Sequence, residues 1–301
     1  MIRGLFRVAE PDFRVRDRVV LITGAAQGIG RELATVLHRR GAVVALADVD
    51  EVGAKAAAAA LGSRAAAFGA DVTDRAAMAE VVARVVERFG GLDVVVANAG
   101  IVPKPATLRT MDPAVFDAVL GVNLTGAFNT VKPALDAIVA SRGHVVVVSS
   151  CAAFAPGMAG SPYMISKAAV EQLGRALRVE LAAHGATAGV AYFGIVDTAM
   201  THETLDNDDL GRRVEALLPW PLNVRISGAE AALVIADGIE RRAPRTIAPA
   251  GWEPYALFRG AINVALDAKL TRDRGLHALL HAVEERVRGA LPGERAGSAA
   301  P

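Results

Sequence analysis

The chain has one cysteine in 301 residues, Cys151, so no intramolecular disulfide can form. That fits a reducing compartment, and the neighbouring Ser150 makes Cys151 read as a small buried residue rather than a redox group. Aromatics are 5% of residues and the formal net charge is +1, which gives no electrostatic footprint for nucleic acid. No long uncharged apolar span suggests a membrane-crossing helix, and MIRGLFRVAEPDF lacks the apolar core of a secretion signal. The six histidines show no ligand-like spacing; His277 and His281 stand four apart but read as a solvated helix face, so no metal is expected. These absences together predict a soluble, cytoplasmic protein. At 52% apolar residues the chain can bury a sizeable core.

What is present is a repeated alternation of β-rich runs and helical stretches. It predicts an α/β fold: a single Rossmann-type, doubly wound parallel sheet with helices on both faces. RVVLIT, from Arg18 to Thr23, is a short β-branched run of the kind that forms a buried parallel strand. Gly24-Ala-Ala-Gln-Gly28-Ile-Gly30 follows, and RELATVLHRR then reads as a helix with Leu33, Val36 and Leu37 on one side. A strand, a glycine-rich turn and a helix N-terminus direct backbone N–H groups at an anion, and missing side chains allow a pyrophosphate to come close. The pattern is TGxxxGxG, not the GxGxxG of the standard fingerprint.

The second strand runs from Gly41 into Asp48, eighteen residues past Gly30. A carboxylate there accepts hydrogen bonds from adenosine ribose hydroxyls and repels a 2′-phosphate. Ala25, Ala26 and Gln27 in the turn offer no cation for such a phosphate, so NAD(H) is favoured over NADP(H). Asp50 competes for the ribose role from further into the loop. Downstream, Tyr163 and Lys167 stand four apart, where Pro162 can open a helix. Residues four apart share one face, and an ammonium there is expected to lower the phenol pKa toward the range useful for proton transfer. Ser150, arriving from the preceding strand, can bond the same substrate oxygen.

The chain therefore resembles the short-chain dehydrogenase/reductase family, in the branch with a TGxxxGxG turn and a YxxxK active site, over roughly residues 16 to 250. Several further motifs fall in the family's order. The resemblance implies cofactor contacts from Gly24, Ala26, Gln27, Gly28, Ile29, Gly30, Asp48 and Val49, and from the adenine-contacting pair Asp71-Val72. Asn98-Ala99-Gly100 matches the NAG element under the nicotinamide ribose. It also implies a catalytic set of Asn123, Ser150, Tyr163 and Lys167, in which Lys167 holds the ribose and Asn123 anchors a water. Only Ser150, not Ser149, has the family's separation from Tyr163. In AYFGIVDTAM, Gly194, Val196 and Thr198 match the segment that contacts the carboxamide, while Phe193 replaces the family's proline.

The activity implied is an NAD(H)-dependent interconversion of a secondary alcohol and a ketone. Two other readings stand beside it: an NADP(H)-dependent reductase of 3-oxoacyl thioesters, which would carry basic residues near the turn, and a noncatalytic NAD(H)-binding sensor, which would have no need of the catalytic set. The substrate is expected under a lid of roughly residues 200 to 223. There Leu205, Leu210, Val214, Leu217, Leu218 and Trp220 either line an apolar pocket or bury the lid, and Asp206, Asp208 and Asp209 read as a solvated turn. Pro133 marks a kink or break in the helical pattern after Asn123.

Three regions result: an arm at 1–15, a catalytic domain at 16–250, and a helical extension at 251–301 with a disordered end. In the extension, Tyr255, Phe258, Ile262 and Leu266 recur at helical spacing. A second helix carries Leu276, Leu279, Leu280, Val283 and Val287, with Glu284 and Arg288 as an i,i+4 pair. That stripe covers the parent domain, a partner subunit, a substrate entrance or a membrane surface reached with Arg259, Lys269, Arg272 and Arg274. A homo-oligomer is expected.

Overall fold

The computed structural model describes residues 13–216 and 220–290. Leu217, Leu218, the side chain of Val214, residues 1–12 and the terminal PGERAGSAAP lie outside the described residues.

Seven strands form one parallel sheet: β1 (Val19–Thr23), β2 (Val43–Asp48), β3 (Ala65–Gly69), β4 (Val94–Ala97), β5 (His144–Val148), β6 (Thr187–Phe193) and β9 (Arg245–Ala248). Their order is β3-β2-β1-β4-β5-β6-β9, so the chain reverses direction across the sheet between β1 and β4. A crevice opens there beyond the carboxyl ends of the strands. β7 (Ile195–Asp197) and β8 (Arg225–Ser227) pair separately. All five residues of β1 and of β5 are buried, which is why VVLIT and HVVVV read as unbroken apolar runs.

Helices cover both faces. One side holds α1 (Gly28–Arg39) and, much later, α10 (Gly228–Glu240); Leu33, Leu37, Ile235 and Ile239 are fully or almost fully buried in one core cluster there. Each such side chain contributes about 1.5–3 kcal/mol by leaving water. Between β2 and β3 lies α2 (Glu51–Leu61), the alanine-rich run. The other side holds α3 (Arg75–Phe89), the long run from Pro113 to Ala140, and α7 (Ser161–Ala182), which pack Val81, Val85, Ile138, Val170 and Leu177 into a second cluster. The start of α3 is fixed by Asp74, whose carboxylate accepts from Ala76 and Ala77 N–H groups, and its end by Gly90 at φ +80°.

The long run is α4 (Pro113–Leu120), a π turn (Gly121–Thr125), α5 (Gly126–Val131), a 3₁₀ turn (Lys132–Ala134) and α6 (Leu135–Ala140). Pro133 therefore tightens the run without ending it, and the larger irregularity is the π turn that carries Asn123. By length and composition this run alone, among the described residues, could cross a membrane. The run is not an uncharged span, since it carries Asp117, Lys132 and Asp136, and it packs against α3, α7 and β4.

The termini also differ from expectation. Phe13 and Val15, placed in the arm, are buried in the core beside α1 and α10. The lid carries α8 (Ala199–Thr201) and α9 (Asp209–Glu215), and the extension consists of α11 (Glu253–Leu270) and α12 (Arg274–Ala290). On α11 only Tyr255 is fully buried; Phe258 is 65% exposed, so the inward face is set by Tyr255, Arg259, Asn263 and Leu266 instead of the apolar stripe. On α12 the predicted stripe does turn inward, with Leu276, Leu279 and Val283 buried. Glu284 bonds Arg109 and Thr107 from the loop after β4, not Arg288 as its principal partner.

Candidate active site

A cleft of about 430 Å³ lies at the carboxyl ends of the strands, where the sheet order reverses. Its first wall is the β1–α1 turn. Gly24 and Gly28 take φ of +64° and +55°, in the left-handed region that favours glycine. A Cβ on Gly30 would lie 2.2 Å from the Gly24 carbonyl oxygen, so the first turn of α1 closes on the loop only without a side chain. Asn98 fastens the same turn from β4, donating through Nδ2 to the Thr23 and Gly24 carbonyls at 2.9 and 3.1 Å. Gly24, Gln27, Gly28 and Ile29 line the cleft, whereas Ala26 and Gly30 do not and act behind it.

At the end of β2, Asp48 lines the cleft and accepts from the Ala26 N–H at 2.9 Å. Asp50 does not line it; its carboxylate caps α2 through the Gly53 N–H at 2.9 Å. Of these two carboxylates only Asp48 lines the cleft. Val49, Asp71 and Val72 complete this end, Asp71 being held by the Thr73 N–H at 2.8 Å. A dinucleotide fits this cradle: a helix N-terminus, space that a Cβ would fill, and a carboxylate beside them.

The opposite end of the cleft gathers Ser150, Tyr163 and Lys167 with Asn98, Ala99, Gly100, Gly194, Val196 and Thr198. Pro162 sits in the first turn of α7, which sets Tyr163 and Lys167 on successive turns facing the end of β5. The Ser150 hydroxyl donates to the Phe193 carbonyl at 3.2 Å and accepts from the Ala152 N–H at 3.1 Å, and it lines the cleft together with Tyr163. Ser149 turns instead to the Lys167 carbonyl at 2.7 Å, although it too touches the cleft wall. Asn123, 1% exposed in the π turn, does not line the cleft. It bonds Ile101 through both its amide atoms, at 2.7 and 3.0 Å, and Ser166 at 3.0 Å. Asn123 Oδ1 and Lys167 Nζ both stand 3.3 Å from where a Gly100 Cβ would lie, so the two converge over that glycine.

Burial pushes the Tyr163 phenol above its ordinary value, and the nearby Ser150 side chain opposes that shift. Burial also brings the Lys167 ammonium down to about 8. Its Nζ donates to the Val148 carbonyl at 3.0 Å and stands 5.6 Å from the centre of the Tyr163 ring. The net shift of the phenol is therefore upward, with burial as its largest cause, and not the lowering expected from the cation.

Sequence reading missed the lining groups Ile101 and Val122, whereas Met200 and Thr201 fall at the start of the expected lid. Ile101 directly follows the Asn98-Ala99-Gly100 element, and that adjacency was the available signal. The lid residues named for a pocket behave otherwise. Leu210 packs with Leu279 and Val283 of α12, Leu205 is half-buried, and Trp220 is 81% exposed. The acidic turn is not merely solvated, since Asp206 pairs with Arg225 at 2.6 Å and Asp208 with Arg286 at 2.8 Å.

Comparison with known proteins agrees with this geometry. The family model described as short chain dehydrogenase matches residues 18–209. A probable oxidoreductase EphD of Mycobacterium tuberculosis is 36% identical over 273 residues, covering 85% of this chain and 45% of the relative. The chain thus spans less than half the length of that relative. A cis-4-hydroxycyclohexanecarboxylate dehydrogenase of Sinomonas cyclohexanicum is 39% identical over 188 residues, covering 61% of this chain and 75% of the relative. A (+)-borneol dehydrogenase 1 of Salvia officinalis is 31% identical, covering 61% of this chain and 72% of the relative. The crystal structure of gox2181 superposes with a TM-score of 0.73 at 26% identity, covering 79% of this chain and 96% of that one. The chain belongs to the short-chain dehydrogenase/reductase family, whose members bind a nicotinamide dinucleotide.

Proposed function

We propose that this protein is an NAD(H)-dependent oxidoreductase that interconverts a secondary alcohol and a ketone on a lipophilic substrate. The observation that carries the reading is convergence: the hydroxyls of Ser150 and Tyr163 and the Lys167 amine open into the same cleft as the glycine turn and Asp48. Hydroxycyclohexanecarboxylate and borneol dehydrogenases among the relatives support an alicyclic alcohol as substrate class. NAD(H) is favoured because Lys167 is the only cation among the described residues lining the cleft, while Asp48 and Asp71 flank its other end.

The dinucleotide, when bound, accepts or supplies the hydride. Gly24, Gln27, Gly28 and Ile29 would hold its pyrophosphate, Asp48 its adenosine ribose, and Lys167 the ribose nearer the reaction. Ser150 bonds the substrate oxygen and orients it toward Tyr163. In oxidation, the ionised Tyr163 phenolate takes the hydroxyl proton; in reduction, its phenol returns one to the ketone oxygen. Asn123 keeps the backbone at Ile101 and the first turns of α7 in register, so Tyr163 and Lys167 stay aimed at the cleft. Ile101, Val122 and Met200 add apolar wall beside this group, which suits a substrate with little charge.

A panel of alicyclic and terpenoid alcohols and ketones, followed by reduced-dinucleotide absorbance, tests the assignment. Turnover of at least one such alcohol with NAD is expected. Turnover restricted to 3-oxoacyl thioesters with NADPH would replace the reading by the thioester-reductase alternative.

A further inference from the structure

Helix α11 lies beyond the region matched by the family model, yet its inner face reaches the turn that follows Ser150. Asn263 Nδ2 donates to the Phe154 carbonyl at 2.9 Å, and the Tyr255 hydroxyl lies 3.2 Å from the same oxygen. That hydroxyl is also 2.8 Å from Asn263 Oδ1, so each side chain restrains the other. One turn away, the Arg259 guanidinium stands 5.1 Å from the centre of the Phe154 ring. The same guanidinium takes Glu171 with two bonds of 2.8 and 2.5 Å. Glu171 is only 4% exposed, and Tyr163, Lys167 and Glu171 follow one another at intervals of four on a single stripe of α7. A buried carboxylate in that stripe needs a cation, and the extension supplies it.

The contacts form a continuous path to the site. Phe154 ends the short turn Cys151–Phe154, which begins at Ser150. Inside that turn the Ala152 N–H donates to the Ser150 hydroxyl, and Ser150 lines the cleft together with Tyr163. Rings reinforce the far end, with Phe154 5.1 Å from Tyr192 and 6.1 Å from Tyr255. Trp252, just before α11, abuts the cleft wall as well: a Cβ on Gly194 would lie 2.6 Å from its indole nitrogen.

We propose that α11 is a positioning element of the active site, in which Asn263, Tyr255 and Arg259 clamp the Ser150–Phe154 turn onto α7 and so fix where the Ser150 hydroxyl stands relative to Tyr163 in the cleft. The inference rests on Tyr163 as the proton-transfer group and extends that reading to residues outside the family's matched region. None of the three touches the cleft; each acts through Phe154 or Glu171.

The test uses the full chain and does not require a substrate. Tyr163 ionisation is read as tyrosinate absorbance, each protein being compared with the same protein carrying Tyr163→Phe. With three tyrosines in the sequence, that difference isolates one of them. The groups facing Tyr163 are Ser150 and Cys151 from the turn and Lys167 from α7. Asn263→Asp keeps the size of the side chain but turns an acceptor toward the Phe154 carbonyl. It is expected to raise the Tyr163 midpoint by about 1 unit as the Ser150 turn draws away from the phenol. Binding of NADH or NADPH, whichever is tighter in the wild type, should stay within about twofold. Tyr255→Phe keeps the ring and removes one donor, so the midpoint should move the same way by less. An unchanged midpoint in variants that bind dinucleotide normally would overturn the proposal. Loss of dinucleotide binding in both variants would overturn it too, because the clamp would then be a general fold contact. Failure of the alcohol–ketone reading appears separately, as absent turnover by the wild type, and leaves this titration readable.

Discussion

The two ends of the cleft are built by different means. The end assigned to the dinucleotide is mostly backbone: a turn whose glycines stand at positive φ or where an added Cβ would lie 2.2 Å from a carbonyl, fastened by Asn98 and edged by Asp48. The catalytic end is mostly side chain, and its geometry is braced by elements distant in sequence, from the π turn at Asn123 to helix α11. Local sequence can specify a backbone cradle, because a few consecutive residues fix its dihedral angles. It cannot specify a brace whose two halves lie a hundred residues apart.

Substitutions at the two ends should separate binding from chemistry. Tyr163→Phe removes the proton carrier, and turnover should fall by about 10²–10⁴-fold or more while dinucleotide fluorescence titration stays close to wild type. Comparable turnover in that variant would show that another group moves the proton. Gly30→Ala attacks the opposite end: with 2.2 Å between the new Cβ and the Gly24 oxygen, the loop must open. Dinucleotide affinity should drop by about 100-fold or more, on the order of 3 kcal/mol, as the cradle's N–H groups lose their common aim.

The pH response follows from the raised phenol. Alcohol oxidation needs the phenolate, so its kcat/KM should climb through the alkaline range while ketone reduction declines. Lys167 gives a second, thermodynamic signal. Its folded-state value near 8 lies below the 10.5 of the free side chain, so between those limits the unfolded chain holds the extra proton. Stability from this group therefore increases as pH rises from about 8 toward 10.5, and Lys167→Met should flatten that slope in denaturant titrations at stepped pH.

Asp48→Ala tests the ribose contact alone. The ratio of NADPH to NADH dissociation constants should shrink by about tenfold, as a charged hydrogen-bond partner is lost. A wild type that already prefers NADPH would defeat the assignment. The smallest effect on the cleft is expected from α12. Leu279→Ala should cost about 2–3 kcal/mol of stability in urea through its buried cluster with Leu210 and Val283, with dinucleotide affinity unchanged.

Much of this arrangement was legible in the sequence because its signals are local. The buried strands appear as β-branched runs, α7 is announced by Pro162, and the spacing of Tyr163 and Lys167 follows from helix geometry. Asp48 could be placed at a strand end, but not separated from Asp50 until the cap on α2 was seen. Periodicity failed on α11, where Phe258 and Ile262 continue an apolar rhythm yet remain exposed, while Arg259 and Asn263 turn inward. Buried partners for those polar groups, Glu171 and the Phe154 carbonyl, come from segments that hydrophobic spacing cannot identify.

By itself the sequence determined the parallel sheet, the glycine turn, the carboxylate ending β2 and the pairing of a phenol with an amine one turn apart. Each of these depends on dihedral preference or side-chain period over a handful of neighbours. Tertiary structure alone decided how the phenol titrates and what the appended helices touch. Those outcomes depend on desolvation and on contacts between distant segments, which exist only once the chain has closed around them.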